Sequence, residues 1–242
     1  MGMREEKQVN SYLELLSPRK ISESTHRRQL EEAGIKGGWN YALDHAWLFE
    51  QIEKHVMGLK DHPVILDIGC GNSMLHTFLE KRLNLGIIGI DRIKGLCPHT
   101  PGRTAIMDIC GDFRTVSRTF AGLADIIFWL SSIEHNSPTE QRECVQASLN
   151  ALKPGGLFLA TFGFSDVCHY YRESEQWNLS RDEAVAVFRV PWKEPPDFSA
   201  TVQEYQLDLM DLDTKHLNRY RSRDYDFVVA GACIRNLGIF DA

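Results

Sequence analysis

The sequence predicts an α/β fold: a doubly wound, mostly parallel sheet with helices on both faces. Three observations carry this expectation. Between Val64 and Gly163, short apolar runs alternate with amphipathic stretches. The runs stay apolar at consecutive positions, as parallel strands covered on both faces require. The stretches between them carry helix start and stop signals.

The candidate strands are residues 64–68, 86–90, 104–109, 125–130 and 157–162. Between the first two, Met74, Leu75, Phe78, Leu79, Arg82 and Leu83 form a helical stripe. Ser137-Pro138-Thr139-Glu140 supplies an N-cap serine, a proline at N1 and a glutamate at N3 that closes a capping box. The helix it opens is expected to reach Leu152 and stop before Pro154-Gly155-Gly156.

The flanks differ in texture. Residues 1–60 are polar and read as a helical cap, ending in an amphipathic segment with Leu43, Trp47, Leu48 and Ile52 on one stripe. Residues 61–242 read as the core, with a lid inserted at about 164–200. That lid holds a second capping box at Ser180-Arg181-Asp182-Glu183, an irregular stretch at Pro191, Pro195 and Pro196, and the rings Tyr170, Tyr171, Trp177 and Trp192. Residues 225–234 read as a late strand, with 207–209 as its candidate partner. The whole is one structural domain.

Composition narrows the functional classes. Of 242 residues, 43% are hydrophobic and 25% charged, the balance of a globular protein. The net charge of -6 argues against nucleic acid as partner, and the one basic cluster, Arg219, Arg221 and Arg223, reads as a solvated surface. No apolar run approaches the roughly 18–20 residues that cross a bilayer, so no membrane partner is expected. The charged start MGMREEKQVN carries no secretory signal, and Glu6 stands where a myristoylation pattern wants Ser or Thr. The expected location is cytoplasmic. Cys70, Cys97, Cys110, Cys144, Cys168 and Cys233 are scattered without metal-ligand spacing; they read as free thiols and predict no metal. The oligomeric state is not legible.

The chemistry gathers after the first core strand, which runs into Gly69-Cys70-Gly71 at the start of a helix. Glycines let the backbone turn sharply and a ligand approach closely, and such loops bind nucleotide-like ligands. Twenty residues after Gly71, the second strand ends in Asp91, a carboxylate able to accept from both hydroxyls of a ribose. A dinucleotide fingerprint wants a third glycine where Met74 stands. Asp67 just ahead of the loop suits a cation better than a pyrophosphate. S-adenosylmethionine, with an ammonium and a sulfonium and no phosphate, is such a ligand.

At these residues the sequence resembles the class I S-adenosylmethionine-dependent methyltransferases. Val64-Ile65-Leu66-Asp67-Ile68-Gly69-Cys70-Gly71, Gly89-Ile90-Asp91, Met107-Asp108-Ile109, Ala124-Asp125-Ile126-Ile127 with Ile133-Glu134-His135, and Leu152-Lys153-Pro154-Gly155-Gly156-Leu157 follow that family's motifs in order. The resemblance implies a seven-stranded Rossmann-like sheet and a role for each matching position. Asp67, Gly69, Cys70 and Gly71 surround the methionine moiety. Asp91 binds the ribose, with Arg92 beside the adenine. Asp108 and Ile109 frame the adenine edge, and Leu130 or Ser131 lines the pocket.

His135, just past the fourth core strand, is the candidate catalytic base, because a neutral imidazole is available near pH 7. Trp39, Tyr41, His45 and His169 are the candidate acceptor contacts. The expected activity is methylation of a small molecule or glycan unit, at oxygen. The alternatives are a protein or RNA methyltransferase, or a cofactor-binding partner subunit without turnover. A nicotinamide-dependent oxidoreductase is disfavoured by Met74 and by the lack of a Tyr-x-x-x-Lys signature.

Overall fold

The computed structural model describes residues 11–35, 39–57, 59, 63–71, 75–93, 109–172, 174–208 and 227–238. Nine strands are assigned in them: β1 (Tyr12–Leu15), β2 (Ile65–Ile68), β3 (Ile87–Asp91), β4 (Ile109–Cys110), β5 (Ala124–Trp129), β6 (Leu152–Phe164), β7 (His169–Tyr171), β8 (Gln176–Asn178) and β9 (Val228–Arg235). The helices are α1 (Pro18–Ser22), α2 (Thr25–Glu32), α3 (Trp39–Val56), α4 (Leu75–Leu83), α5 (Phe113–Val116), α6 (Pro138–Ala151), α7 (Arg181–Phe188) and α8 (Phe198–Asp208).

Seven strands form one sheet in the order β1-β9-β6-β5-β2-β3-β4. The segment β6-β5-β2-β3-β4 is parallel, and β9 and β1 add antiparallel at one edge. This is the expected doubly wound, mostly parallel architecture. Every residue of β2 is buried, and so is all of β5 but Asp125, which explains their unbroken apolar runs. The chain leaves β2 first toward β3 and β4, then returns to the other side at β5. The switch point therefore lies between β2 and β5, and a crevice at their carboxyl ends is where such sheets bind ligands.

The capping boxes act where the sequence puts them. Ser137 accepts from the Glu140 amide while the Glu140 side chain returns to Ser137. Ser180 accepts from the Glu183 amide at the start of α7.

Two expectations need correction, and the lid gains a detail. Residues 1–60 are not wholly helical: β1 pairs with β9 and completes the sheet edge. Four residues are too few to show a period, and their partner lies over two hundred positions away. Leu207 belongs to α8, not to a strand beside β9, whose partners are β6 and β1. The lid contains a β7–β8 hairpin that the aromatic texture did not announce.

Candidate active site

Strand β2 delivers the chain into the loop. Gly69 takes φ +65° and its amide donates to the Ile90 carbonyl at 2.7 Å. A Cβ at Gly69 would collide with the Ser132 hydroxyl and lie 3.6 Å from Trp129 Nε1. Gly71 has φ +48°, yet among the described residues a Cβ there would meet nothing within 4 Å. The two glycines are therefore constrained differently: Gly69 by backbone and space, and Gly71, among the described residues, by backbone alone.

Asp91, half-buried at the end of β3, ties the loop to its neighbour. Its Oδ2 accepts from the Gly71 amide at 3.1 Å and its Oδ1 from the Ile93 amide at 2.9 Å. A cleft of about 390 Å³ opens here at the switch point; Gly69, Asp91, Arg92, Trp129, Ser132 and His135 are among its walls. That volume is in the range of small-molecule sites.

Other predicted cofactor positions fall around it. Arg92 is exposed on the rim. Ile109 is half-buried on β4 beside Ile90. Asp108 lies outside the described residues. Cys70 is buried and does not line the cleft. Leu130 and Ser131 do not line it either; Trp129 and Ser132 do. The reason is local: Ser131 adopts φ +45°, which breaks the strand alternation. Its hydroxyl donates to Asp44 instead, and its amide to Thr161 Oγ1 at 3.4 Å.

Asp67 is buried and its carboxylate meets Nε2 of His76, a residue with 0% exposure. Burial pushes the Asp67 carboxyl up; His76 pulls it down and the nearby Asp91 pushes it up again.

A second acidic feature lies behind the cleft wall. Asp44 of α3 is 1% exposed, and burial pushes its carboxyl up to about 8, a shift the hydrogen bonds of Ser131 and Thr161 oppose and the Glu134 charge assists. Glu134 is 7% exposed and burial pushes it up to about 7. Among the described residues, Asp44 Oδ1 and Glu134 Oε2 meet no hydrogen-bond partner.

Sequence reasoning missed both His76 and Asp44. The available signal was position: Asp44 shares a helical stripe with Leu48 and Ile52, and His76 shares one with Leu79 and Leu83.

The histidines separate by surroundings. His135 is exposed at the cleft, and its Nδ1–H donates to the Glu175 carbonyl at 3.0 Å, which leaves Nε2 as the acceptor. Glu175 holds that carbonyl from a left-handed turn, φ +53°. His45 is half-exposed on α3; burial lowers it to about 4, so it is neutral at physiological pH. His169 sits in the β7–β8 hairpin with Nδ1 on the Val167 carbonyl at 2.9 Å, away from the cleft walls. Trp39 and Tyr41 belong to α3, but their side chains are outside the described residues. Among the described residues, no group of three His, Cys, Asp or Glu gathers, and no helix is long and apolar enough to cross a membrane.

Residues 66–160 match the family model described as a methyltransferase domain. No curated protein sequence matches the chain. Among solved structures it is similar to geranyl diphosphate C-methyltransferase from Streptomyces coelicolor A3(2), crystallised with Mg2+, geranyl diphosphate and S-adenosyl-L-homocysteine. The TM-score is 0.59 at 13% identity, over 90% of this chain and 96% of that one. It is also similar to phosphoethanolamine N-methyltransferase 2 from Haemonchus contortus, with TM-score 0.52 and 15% identity over 90% of this chain and 60% of that one. A third similar structure is the [4+2]-cyclase SpnF, with TM-score 0.57 and 16% identity over 82% and 83% of the two chains. At such identities the likeness is one of fold.

The sheet order and the switch-point cleft define a Rossmann-like fold of the class I methyltransferase type, and the methyltransferase-domain match lies on its parallel strands. The matched segment is a methyltransferase domain, and the cofactor that such a domain implies is S-adenosyl-L-methionine. The residues present fit that group. The loop has no room for a side chain at Gly69, and two carboxylates, Asp67 and Asp91, flank it. That donor set suits a cationic nucleoside better than a pyrophosphate.

Proposed function

We propose that this enzyme O-methylates a small molecule or glycan unit, with His135 as the base. The observation that carries the reading is His135 itself: exposed at the cleft, with Nδ1 engaged by the Glu175 carbonyl and Nε2 left to receive a proton. In this reading Asp91 accepts from the ribose hydroxyls. Asp67 and the backbone of Gly69 and Gly71 hold the amino-acid end, and Arg92, Asp108 and Ile109 border the adenine. Residues 1–60 act as a cap and about 164–200 as a lid, with Trp39, Tyr41, His45 and His169 on the acceptor side.

When bound, S-adenosyl-L-methionine supplies a methyl group on a positively charged sulfur. The chain's own part is to hold and orient the two reactants and to take the acceptor hydroxyl proton at His135 Nε2. The test is methyl transfer from labelled cofactor to panels of hydroxylated small molecules and sugars, with amines, peptides and RNA as comparison arms. Labelling of hydroxyl acceptors that His135→Ala abolishes supports the reading. Labelling only of amines, peptides or RNA refutes it, and so does cofactor binding without turnover on any acceptor.

A further inference from the structure

The outer face of α6 carries a second cleft that methyl transfer does not use. Thr139, Arg142, Glu143, Gln146, Ala147 and Asn150 fall at helical spacing on the side of α6 opposite its buried Cys144, Val145 and Leu149. Beside them, α5 supplies Arg114, the 3-10 turn Ser117–Phe120 supplies Arg118, and the residue after α7 supplies Arg189. The cleft measures about 720 Å³. Four of its lining residues are arginines and one, Glu143, is acidic, in a chain whose 33 acidic residues outnumber its 27 lysines and arginines. A concave surface lined by one sign of charge concentrates the opposite sign.

Two of the four guanidiniums are already paired. Arg114 donates to Asp112 and to Glu143, which also occupies the one carboxylate of the lining. Arg142 donates to Glu183 and to Thr139 Oγ1. Arg118 and Arg189 meet no carboxylate among the described residues.

Arg189 is also held in place. It caps α7 with φ +57° and ψ +31°, a left-handed conformation that favours glycine. From there its Nη1 donates to Gln146 Oε1 at 3.0 Å, and Gln146 Nε2 donates to Asn150 Oδ1 at 3.1 Å. A carboxylate in the place of Gln146 would orient the guanidinium and cancel its charge. The neutral amide orients it and leaves the charge, with the remaining N–H groups, for a ligand.

We propose that the cleft over α6 binds a small phosphorylated molecule, with Arg118 and Arg189 on its phosphate. The planar guanidinium fork matches phosphate oxygens two at a time. Thr139 and Asn150 offer a hydroxyl and an amide to the rest of a polar ligand. Arg114 alone lines both this cleft and the cofactor cleft, so occupancy here leaves the glycine loop and Asp91 untouched.

The experiment is calorimetric titration of inorganic pyrophosphate and inorganic phosphate at constant ionic strength, because salt screens exposed charges. The wild type is expected to give a saturable single-site isotherm with pyrophosphate, changed less than about threefold by saturating S-adenosylmethionine. The double variant Arg118→Gln/Arg189→Gly is expected to weaken it by about tenfold or more. Glycine suits the left-handed φ, so this variant should melt no lower than the wild type. A control, Arg28→Gln/Arg82→Gln, removes the same two charges from exposed positions elsewhere and should stay within about threefold of wild type. Arg118→Gln alone, at an exposed position, decides the matter should the double variant fail to fold. Absence of saturable binding, equal losses in variant and control, or displacement by S-adenosylmethionine overturns the proposal. Tighter binding of hexaglutamate than of pyrophosphate also overturns it, in favour of an acidic protein partner.

Discussion

Asp44 on α3 and Glu134 in the turn after β5 are both buried, and the charge of Glu134 pushes Asp44 further toward its neutral form while hydrogen bonds from Ser131 and Thr161 oppose the shift. Burial keeps the proton on Asp44 at neutral pH, whereas Glu134, pushed up to about 7, is about half ionised there. Because the folded value of Asp44 lies above its unfolded one, its contribution to stability is full below about pH 4 and is lost as pH rises through about 8. His45 works in the opposite direction between about 4 and 6.5, so the cleanest window lies above 6.5. The wild type should lose on the order of a few kcal/mol between pH 6.5 and 8.5, with most of that slope absent in Asp44→Asn. Denaturant melts at the two pH values measure it. Equal slopes in both proteins would show Asp44 to be ionised throughout.

The two loop glycines should respond differently to the same substitution. Gly69→Ala combines a left-handed φ with a collision against Ser132, and should cost about 2–4 kcal/mol together with most of the cofactor affinity. Gly71→Ala meets only the backbone penalty, about 1–2 kcal/mol. Thermal melts with and without S-adenosylmethionine separate the effects. A Gly69→Ala protein as stable as Gly71→Ala would contradict the crowding by Ser132.

At the other sheet edge, Gly231 of β9 gives its missing side chain's space to Trp47. A Cβ there would stand 2.7 Å from the indole ring, whose Nε1 donates to Glu14 at 2.8 Å. Gly231→Ala is expected to destabilise the protein by about 1–3 kcal/mol, the usual range for overpacking. Trp47→Phe in the same background should recover part of that loss in a double-mutant cycle, because the two side chains compete for one volume.

For His135, substitution by Ala should leave cofactor affinity near wild type and lower kcat by about 10²–10⁴-fold, the worth of general base catalysis. The contact with Glu175 makes a further distinction available. Replacing Glu175 by Gly keeps the carbonyl and relieves the left-handed φ of +53°, so activity should survive. Replacing it by Pro, whose ring forbids that φ, moves the carbonyl and should cost activity without costing cofactor affinity. Steady-state kinetics beside calorimetry decide it.

How far the sequence speaks depends on the range of the interaction. Strands β2, β3, β5 and β6 are legible because burial on both faces writes itself into consecutive residues. The starts of α6 and α7 are legible because a capping box is complete within four residues. Strand β1 is not, since Tyr12–Leu15 is held by pairing with β9 and carries no pattern of its own. At the site, Asp91 and the glycines stand at fixed offsets along the chain. The Asp67–His76 contact and the Asp44–Ser131 contact join different elements, and only the packed structure brings them together. Ser131 and Ser132 differ for the same reason: a single left-handed residue decides which hydroxyl faces the cleft.

The most direct test of the account is the affinity of S-adenosylmethionine for the wild type and for Asp91→Ala, read by calorimetry on folded protein. Asp91 organises the loop through the Gly71 and Ile93 amides and, in this account, also accepts from the ribose. Two charge-assisted hydrogen bonds at roughly 1.5–3 kcal/mol each predict a loss of at least tenfold. A folded Asp91→Ala protein that binds the cofactor as tightly as the wild type would contradict it.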